Sequence, residues 1–228
     1  IRGRYTGFWE CATPADRCLM QVQNLAAEKP PHEAWMDDPA FAERKYLDPD
    51  LFFRLVDARR GEWHWHGDLF QYRIPSFAPN SLAMYCGARV VFGATIWQGP
   101  VIERIEDADR VRFDPENRFW RNHLEAVDCF IERCRGREPL GMTDFGGPAD
   151  WIGTLMGTSN LCLAVAENPD AVRDFALRLA DVFRDLWDIV YARVAPHFDG
   201  TCNWLPMWGP GRLGVVQDDL SILFSPAV

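Results

Sequence analysis

Hydrophobic residues recur at helical spacing in several stretches of the chain. The clearest stretch begins at Asp114-Pro115-Glu116 and ends before Gly136, and a longer one runs from Asn168-Pro169-Asp170 to about Val194. Each combines an Asn, Asp or Pro start signal with the apolar stripe of an amphipathic helix. Shorter patterns of the same kind predict two helices within 37–61, one within 75–87 and one that begins near Asp150.

Short apolar runs between these helices predict strands. Residues 139–144 lead into the turn Gly146-Gly147-Pro148, residues 62–70 alternate in the manner of a strand, and residues 88–92 predict a strand or an outer hairpin. Further strands are predicted at 18–22, 198–202 and 213–217. Because parallel neighbours need crossover connections, which are usually helices, the alternation predicts an α/β fold with a parallel sheet.

Motif content separates the two common folds of this class. No G-x-G-x-x-G follows a predicted strand and no G-x-x-x-x-G-K-[ST] loop occurs, so a doubly wound nucleotide-binding sheet is disfavoured. We therefore predict a (β/α)8 TIM barrel, as a single domain over residues 1–228 with about six of its eight βα units. Ser225-Pro226 has the form of a helix start, so we expect the barrel to be incomplete at the C-terminus.

The composition changes this picture by excluding partners. A net charge of -9 is unsuited to nucleic acid, because phosphates are bound by clustered Lys and Arg. No run approaches the roughly 20 apolar residues of a membrane span, and no signal core follows Ile1. The seven cysteines include no C-x-x-C pair, so they predict reduced thiols and a cytoplasmic protein.

Several segments, taken in order, resemble the uroporphyrinogen decarboxylase superfamily, which also includes corrinoid-linked methyltransferases. The strand at 139–144 with its Gly-x-Pro turn is one of them, and Asp218-Asp219-Leu220 followed by Ser225-Pro226 is another. The other segments are Gly67-Asp68-Leu69, 82–92, Gly99-Pro100, Gly157 and Glu167-Asn168-Pro169. The resemblance implies a barrel enzyme that acts on a small organic substrate, with a corrinoid protein as a partner of the methyltransferase branch and a homodimer as one open assembly.

Two departures from the family pattern bear on the substrate. The family's decarboxylases carry Arg-Gln-Ala-Gly-Arg-Tyr after the first strand, where the arginines bind substrate carboxylates, but residues 21–25 hold nothing similar. A family tyrosine beyond the Gly-x-Pro turn falls near Thr154. Uroporphyrinogen itself is therefore not the expected substrate. In the methyltransferase branch, a His-x-Cys pair and a later Cys bind zinc, and the resemblance places these ligands past Val228.

Three aspartates are candidates for catalysis. The resemblance implies that Asp68 takes the place of a family aspartate that binds pyrrole nitrogens and stabilises positive charge. Asp144 ends a predicted strand, as does the pair Asp218-Asp219, of which Asp219 is favoured to point into the barrel mouth where such enzymes build their sites. The alternatives are a structural or solvated role for Asp68 and a turn cap for Asp144.

Two further groups of side chains are candidates for binding. Aromatic rings and one cation are suited to an anionic organic ligand, with packing as the alternative, and the candidates are Trp97, Trp204, Trp208 and Arg212. His64 and His66 share one face of a predicted strand and, with Cys202, are the metal-ligand candidates within the chain. Strand packing is the commoner role for such histidines, and burial is the commoner role for a single cysteine.

Three functions stay open at this point. The first is methyl transfer from a corrinoid, in which zinc bound past Val228 converts a thiol into a thiolate nucleophile. The second is decarboxylation of a carboxylated, tetrapyrrole-like compound without a cofactor, with Asp68 stabilising the protonated intermediate. The third is a ligand-binding barrel without catalysis. The absence of the arginine segment favours the first.

Overall fold

The fold is known from a computed structural model that describes residues 2–12, 18–25, 38–58, 63–93, 95–135 and 137–225. The α-helices are α1 (Arg2–Trp9), α2 (Pro39–Leu47), α3 (Pro49–Ala58), α4 (Ser81–Tyr85), α5 (Arg118–Cys134), α6 (Pro148–Met156), α7 (Thr158–Glu167) and α8 (Pro169–Val194). The strands are β1 (Gln21–Leu25), β2 (Trp63–Gly67), β3 (Arg89–Phe92), β4 (Ile96–Gly99), β5 (Thr201–Cys202) and β6 (Trp208–Gly209). Short 3-10 helices cover Ile105–Arg110, Ala195–His197 and Asp219–Leu223. None of the described helices has both the length and the apolar character needed to cross a membrane.

The two long helices begin at side-chain caps. Asn117 Oδ1 accepts hydrogen bonds from Phe119 N at 2.9 Å and Trp120 N at 3.3 Å, which satisfies amides that α5 itself leaves free. Asn168 Oδ1 accepts from Ala171 N at 3.3 Å in the same way at the start of α8. Both helices are confirmed, and α8 begins where its start signal predicted it, whereas α5 begins at Arg118, after the predicted start at Asp114-Pro115-Glu116.

Contacts between helices make up most of the core. The rings of Phe52 and Phe130 lie 5.5 Å apart and join α3 to α5. Trp151 of α6 lies 5.7 Å from Phe183 of α8 in a similar contact. The inward stripe predicted for α8 is buried at Val172, Phe175, Leu179, Leu186 and Val190, whereas Ile189 is 37% exposed.

All the named strands pair as antiparallel two-stranded sheets. β1 pairs with β2, with Gln21 opposite Gly67, β3 pairs with β4, and β5 pairs with β6. The outer hairpin predicted from residues 88–92 is therefore confirmed as β3 and β4. The strand predicted at 18–22 is displaced to β1, and the turn predicted at Gly61 lies outside the described residues.

Three stretches of chain, the third of which includes β5, run parallel to one another and are joined by isolated β-bridges. Arg73 N donates to Pro139 O at 3.1 Å, and Gly141 N donates to Arg73 O at 2.6 Å. Met142 N donates to Cys202 O at 2.7 Å, which adds the third stretch. These stretches, through Arg73, Leu140-Gly141 and Cys202, are named the parallel segments. α4 and α5 connect the first two, and α6 to α8 connect the last two, so the fold mixes helix and strand with helical crossovers.

The parallel arrangement is less regular than the sequence predicts. Within the described ranges the parallel segments are joined by single bridges and do not close into a barrel, since closure needs a continuous ladder of hydrogen bonds between neighbouring strands. The strand predicted at 213–217 is wrong, because these residues are irregular. Their alternating burial comes from packing against helices: Gln217 O lies against Gly147 before α6, and Gly214 lies against Trp187 of α8.

Candidate functional site

The candidate site lies where the chain leaves the parallel segments. The carboxyl ends of parallel strands meet at one edge, and α/β enzymes bind their ligands there. Asn80 follows the first segment, Asp144 follows the second, and Asn203 and Trp204 follow the third. These four are named the carboxyl-edge residues. Sequence reasoning had selected Asp144 and Trp204 and had missed Asn80 as a site residue.

Asp144 holds a carboxyl group in a largely buried position. The residue is 9% exposed, and its Oδ1 accepts a hydrogen bond from Gly146 N at 2.9 Å. Burial raises the pKa of Asp144, because desolvation penalises the charged form. The hydrogen bond from Gly146 works against that rise, and the charges of Asp150 and Asp219 add to it. Asp144 is thus an acid that keeps its proton to higher pH than an exposed aspartate.

Asn80 packs against the turn that follows Asp144. Its Nδ2 donates to Asp150 O at 2.8 Å and to Thr154 Oγ1 at 2.5 Å, so it bridges α4 to α6. A Cβ at Gly146 would lie 2.3 Å from Asn80 Oδ1, so this close approach requires glycine, as does a φ of +85°. Thr154 therefore holds Asn80 in place. The position of Asn80 just after Phe77-Ala78-Pro79 is the local signal that could have identified it.

Asp218 and Asp219 have different surroundings. Asp218 Oδ1 accepts from Ala149 N at 2.9 Å and Asp150 N at 3.3 Å, so it caps α6. Asp150 in turn accepts from Asp219 N and Leu220 N, each at 3.0 Å, so the two carboxylates cap each other's helices. Asp219 is exposed and its Oδ2 accepts from Gln217. Burial raises the pKa of Asp218, so Asp218 is the more enclosed of the pair.

Asn203 and Trp204 provide hydrogen-bond donors that the described chain leaves unused. Asn203 is 1% exposed, and its Oδ1 accepts from Leu205 N at 3.0 Å and Met207 N at 3.1 Å. Asn203 Nδ2 and Trp204 Nε1 are buried and have no hydrogen-bond partner in the described structure. Tyr72 Oη donates to Trp204 O at 3.2 Å and holds this loop against the first segment. Buried donors without acceptors are rare and are suited to a ligand that carries acceptor atoms.

Asp68 belongs to a different part of the molecule. Its side chain is 2% exposed, Oδ1 accepts from Arg4 Nε at 2.8 Å, and Oδ2 accepts from Met20 N at 2.9 Å. The carboxylate therefore ties α1 to the start of β1. Asp68 precedes the first parallel segment, whereas Asn80 follows it. Since both oxygens of Asp68 bind protein groups in a buried place, the structure gives it a structural role.

The other predicted binding residues lie apart and make protein contacts. Trp97 is 67% exposed on β4, opposite Val91 of β3. Trp208 is buried, and its Nε1 donates to Asp199 O at 2.9 Å. Arg212 lies over two rings of α8, 5.0 Å from the centroid of Trp187 and 5.0 Å from that of Tyr191, and it pairs with Asp188. Arg212 is therefore engaged by α8 in these contacts, and an anion-binding role for it stays a prediction.

No protein-family model, curated protein or solved structure matches this chain. The candidate site is therefore defined by its own geometry. Its parts are a buried acid, an amide that packs against the following turn, and two unused donors on the next segment.

The metal-ligand candidates do not form a zinc site. In the described part of the chain, no three His, Cys, Asp or Glu side chains are grouped so that they could hold a metal ion. His66 Nε2 is hydrogen-bonded to Asn24 Oδ1 at 2.8 Å, and the ring of His64 lies 6.2 Å from that of His66. Burial raises the pKa of Cys202, whose Sγ donates to Asn203 O at 3.4 Å. Within the described residues, the three candidates are therefore not gathered into one group of metal ligands.

Proposed function

We propose that this chain is part of a (β/α)8 barrel enzyme, similar to uroporphyrinogen decarboxylases, that removes CO2 from a carboxylated pyrrole-type ring without a cofactor. The observation that carries the proposal is the placement of a buried acid, Asp144, and the unused donors of Asn203 and Trp204 on neighbouring parallel segments. This edge of the sheet is where barrel enzymes place their reacting groups.

Three of the four carboxyl-edge residues have a defined part in this reaction, and Asn80 supports the turn after Asp144. Asn203 Nδ2 and Trp204 Nε1 donate hydrogen bonds to a carboxylate of the substrate that is retained, and so orient the ring. The carbon–carbon bond to the lost carboxylate breaks, CO2 leaves, and the electron pair stays on carbon. Asp144 gives its proton to that carbon and regains one from water. Its raised pKa suits it to this step, because the group must be protonated at the working pH.

The resemblance also implies two other functions, and the experiment described below distinguishes them from decarboxylation. Methyl transfer from a corrinoid, with zinc as its metal, stays a prediction. The chain's own His64, His66 and Cys202 supply no zinc site in the described structure. A ligand-binding barrel without catalysis would use the same donors at Asn203 and Trp204 but would make no use of the proton on Asp144.

The test is release of CO2 from named probes by the purified protein. We expect pyrrole-3,4-diacetate or pyrrole-2,4-dicarboxylate, each of which keeps one carboxylate after losing CO2, to be decarboxylated and uroporphyrinogen III to be a poorer substrate. Asp144→Asn should lower kcat by about 10²-fold or more, since a proton donor typically contributes that much. Asp174→Asn, at an exposed position on α8, is the matched control and should leave kcat unchanged.

Three other results would each contradict the proposal or favour one of the alternatives. If none of the three probes releases CO2, the proposal is wrong. Demethylation of methylcobalamin that requires zinc and a thiol would favour the methyltransferase. Binding of pyrrole-2,4-dicarboxylate in calorimetry, without turnover of any probe, would favour the non-catalytic barrel.

A further inference from the structure

A buried chain of hydrogen bonds ends one residue away from Asp144. Tyr85 Oη lies 2.9 Å from His123 Nδ1, and His123 Nε2 lies 2.7 Å from Thr143 Oγ1. Thr143 Oγ1 donates to Pro75 O at 3.3 Å. The exposure of Tyr85 and His123 is 0%, and that of Thr143 is 3%. The chain therefore connects α4, α5 and the first two parallel segments without contact with solvent.

The chemistry of these groups fixes the direction of every bond. Pro75 O can only accept, so the single hydroxyl proton of Thr143 goes to it. Thr143 Oγ1 must then accept from His123, which places a proton on Nε2. Nδ1 of the same ring is left as the acceptor for the Tyr85 hydroxyl. Of the two neutral tautomers, only the one with its proton on Nε2 satisfies all three bonds.

The surroundings favour the neutral ring. Complete burial and, as a smaller effect, the positive charge of Arg193 on α8 together lower the pKa of His123 to about 3. Aromatic rings enclose the imidazole, with centroids at 5.6 Å for Phe77 and Trp120 and 6.0 Å for Phe145. Low polarity around the ring makes an unpaired nitrogen costly, so the three hydrogen bonds hold its orientation.

Further hydrogen bonds hold the backbone of the residues that follow Thr143. Ser81 Oγ donates to Asp144 O at 2.8 Å, one helical turn before Tyr85 on the same face of α4. Leu82 N donates to Phe145 O at 3.4 Å, and Trp151 Nε1 donates to the same oxygen at 2.6 Å. Residues 143–145 are therefore fixed at each residue, and the Asp144 carboxyl group is carried on a rigid backbone.

We propose that His123, as the neutral tautomer with its proton on Nε2, is a positioning residue that orients Asp144 by holding Thr143 to α4 and α5. This inference rests on the proposed function, since it concerns the same carboxyl group. His123 itself touches no reacting atom. His123 acts on the site through the peptide between Thr143 and Asp144. Its hydrogen bond to Thr143 keeps this peptide aligned with the first parallel segment.

The tautomer is tested directly by ¹⁵N NMR of the full chain labelled at histidine. We expect the His123 signals to show a protonated Nε2 and an unprotonated Nδ1, with no change between pH 5 and pH 8. Tyr85→Phe removes the donor to Nδ1 and should change the Nδ1 shift. Titration of His123 within this pH range, or a proton on Nδ1, would overturn the assignment.

Positioning is tested with a matched pair at residue 143. Thr143→Ser keeps the hydroxyl, whereas Thr143→Val keeps the shape and removes it. We expect the valine variant to bring the pKa of the Asp144 carboxyl, followed by ¹³C NMR, down toward its ordinary value. With an active probe, kcat should fall roughly tenfold or more with little change in KM. Asp150 and Asp219 are unchanged in both variants, so their charges cannot cause a difference.

The outcomes separate this inference from the proposed function. If valine and serine variants give the same Asp144 titration, positioning by His123 is wrong. If Thr143→Val does not fold, Tyr85→Phe serves the same comparison, because it breaks the chain at its other end. A changed Asp144 titration without CO2 release from any probe would support the positioning role and refute the decarboxylase.

Discussion

At the scale of single residues, Asp144 shows how burial sets the properties of an acid. Its carboxyl group receives one hydrogen bond from Gly146 N, yet desolvation outweighs it and raises the pKa. A raised pKa in the folded state means that folding favours the protonated form. The stabilising contribution is complete below the ordinary pKa of aspartate, about 3.9. It is lost as pH rises through the raised value.

We therefore predict a pH-dependent effect of Asp144→Asn on stability. The asparagine carbonyl can still accept from Gly146 N, but the variant has no charge to bury. The free energy of unfolding of the variant, relative to the natural protein, should rise as pH increases through the raised pKa of Asp144 and then level off. Urea denaturation at a series of pH values measures this difference. A pH-independent difference, or the same trend in Asp174→Asn, would contradict it.

At the scale of elements, Asn117 joins two helices through one side chain. Its Oδ1 caps α5, while its Nδ2 donates to Met84 O at 3.2 Å and Tyr85 O at 3.3 Å at the end of α4. The last carbonyls of a helix lack the usual intrahelical partners, and Met84 O also accepts from Gly87 N at 3.2 Å, so this amide caps the start of one helix and adds hydrogen bonds at the end of another. Asn168 lies at an equivalent start position and caps α8 at Ala171 N.

We predict that Asn117→Ala destabilises the protein by about 1–2 kcal/mol through loss of the cap. Loss of the hydrogen bonds from Asn117 Nδ2 to Met84 O and Tyr85 O should destabilise it further. Asn168→Ala should cost less, about 0.5–1 kcal/mol, because only a cap is lost. Asn117→Asp keeps the side-chain oxygen that caps α5 and removes the Nδ2 donor to α4. Its loss of stability should therefore lie between the losses of the two alanine variants. Denaturant unfolding of the three variants gives the order. Equal losses for Asn117→Ala and Asn168→Ala would rule out the link to α4.

At the scale of the whole molecule, the C-terminal part of the described chain docks on α6. Gly147 is the contact point, because a Cβ there would lie 2.2 Å from Gln217 O and 2.8 Å from Asp218 Cβ. Its φ of -134° is open to any residue, so close approach alone requires glycine. The caps between Asp150 and Asp218 complete this contact.

Gly147→Ala should therefore force the 213–225 stretch away from α6. We expect a loss of about 1–3 kcal/mol, as for other insertions into close-packed places. Gly211→Ala is the control, since its Cβ would meet nothing within 4 Å, and it should change stability by less than about 0.5 kcal/mol. Urea unfolding measures both, and limited proteolysis should cleave 213–225 faster in Gly147→Ala only. Similar behaviour of the two variants would show that the contact is unimportant.

The candidate site was predictable only in part. Asp144 was selected because it ends an apolar run before a glycine turn, which is a local signal. The preference for Asp219 over Asp218 had no such basis, since the enclosure of Asp218 depends on α6, about 70 residues earlier in the chain. No partner of Arg212 was evident from the sequence, because Trp187, Asp188 and Tyr191 lie on the preceding helix. His123 gave no sign in sequence, because its partners come from separate segments.

By itself, the sequence determined the elements whose physics is local. α5 and α8 follow from the periodicity of apolar residues, α8 also from its start signal at Asn168, and β3 of the β3–β4 hairpin follows from a short apolar run. The tertiary structure alone decided which segments lie side by side, how Asp144 is buried and which donors at Asn203 and Trp204 stay unused. The reason is that strand pairing, desolvation and hydrogen-bond satisfaction depend on groups distant in sequence, which only the packing of the helices brings together.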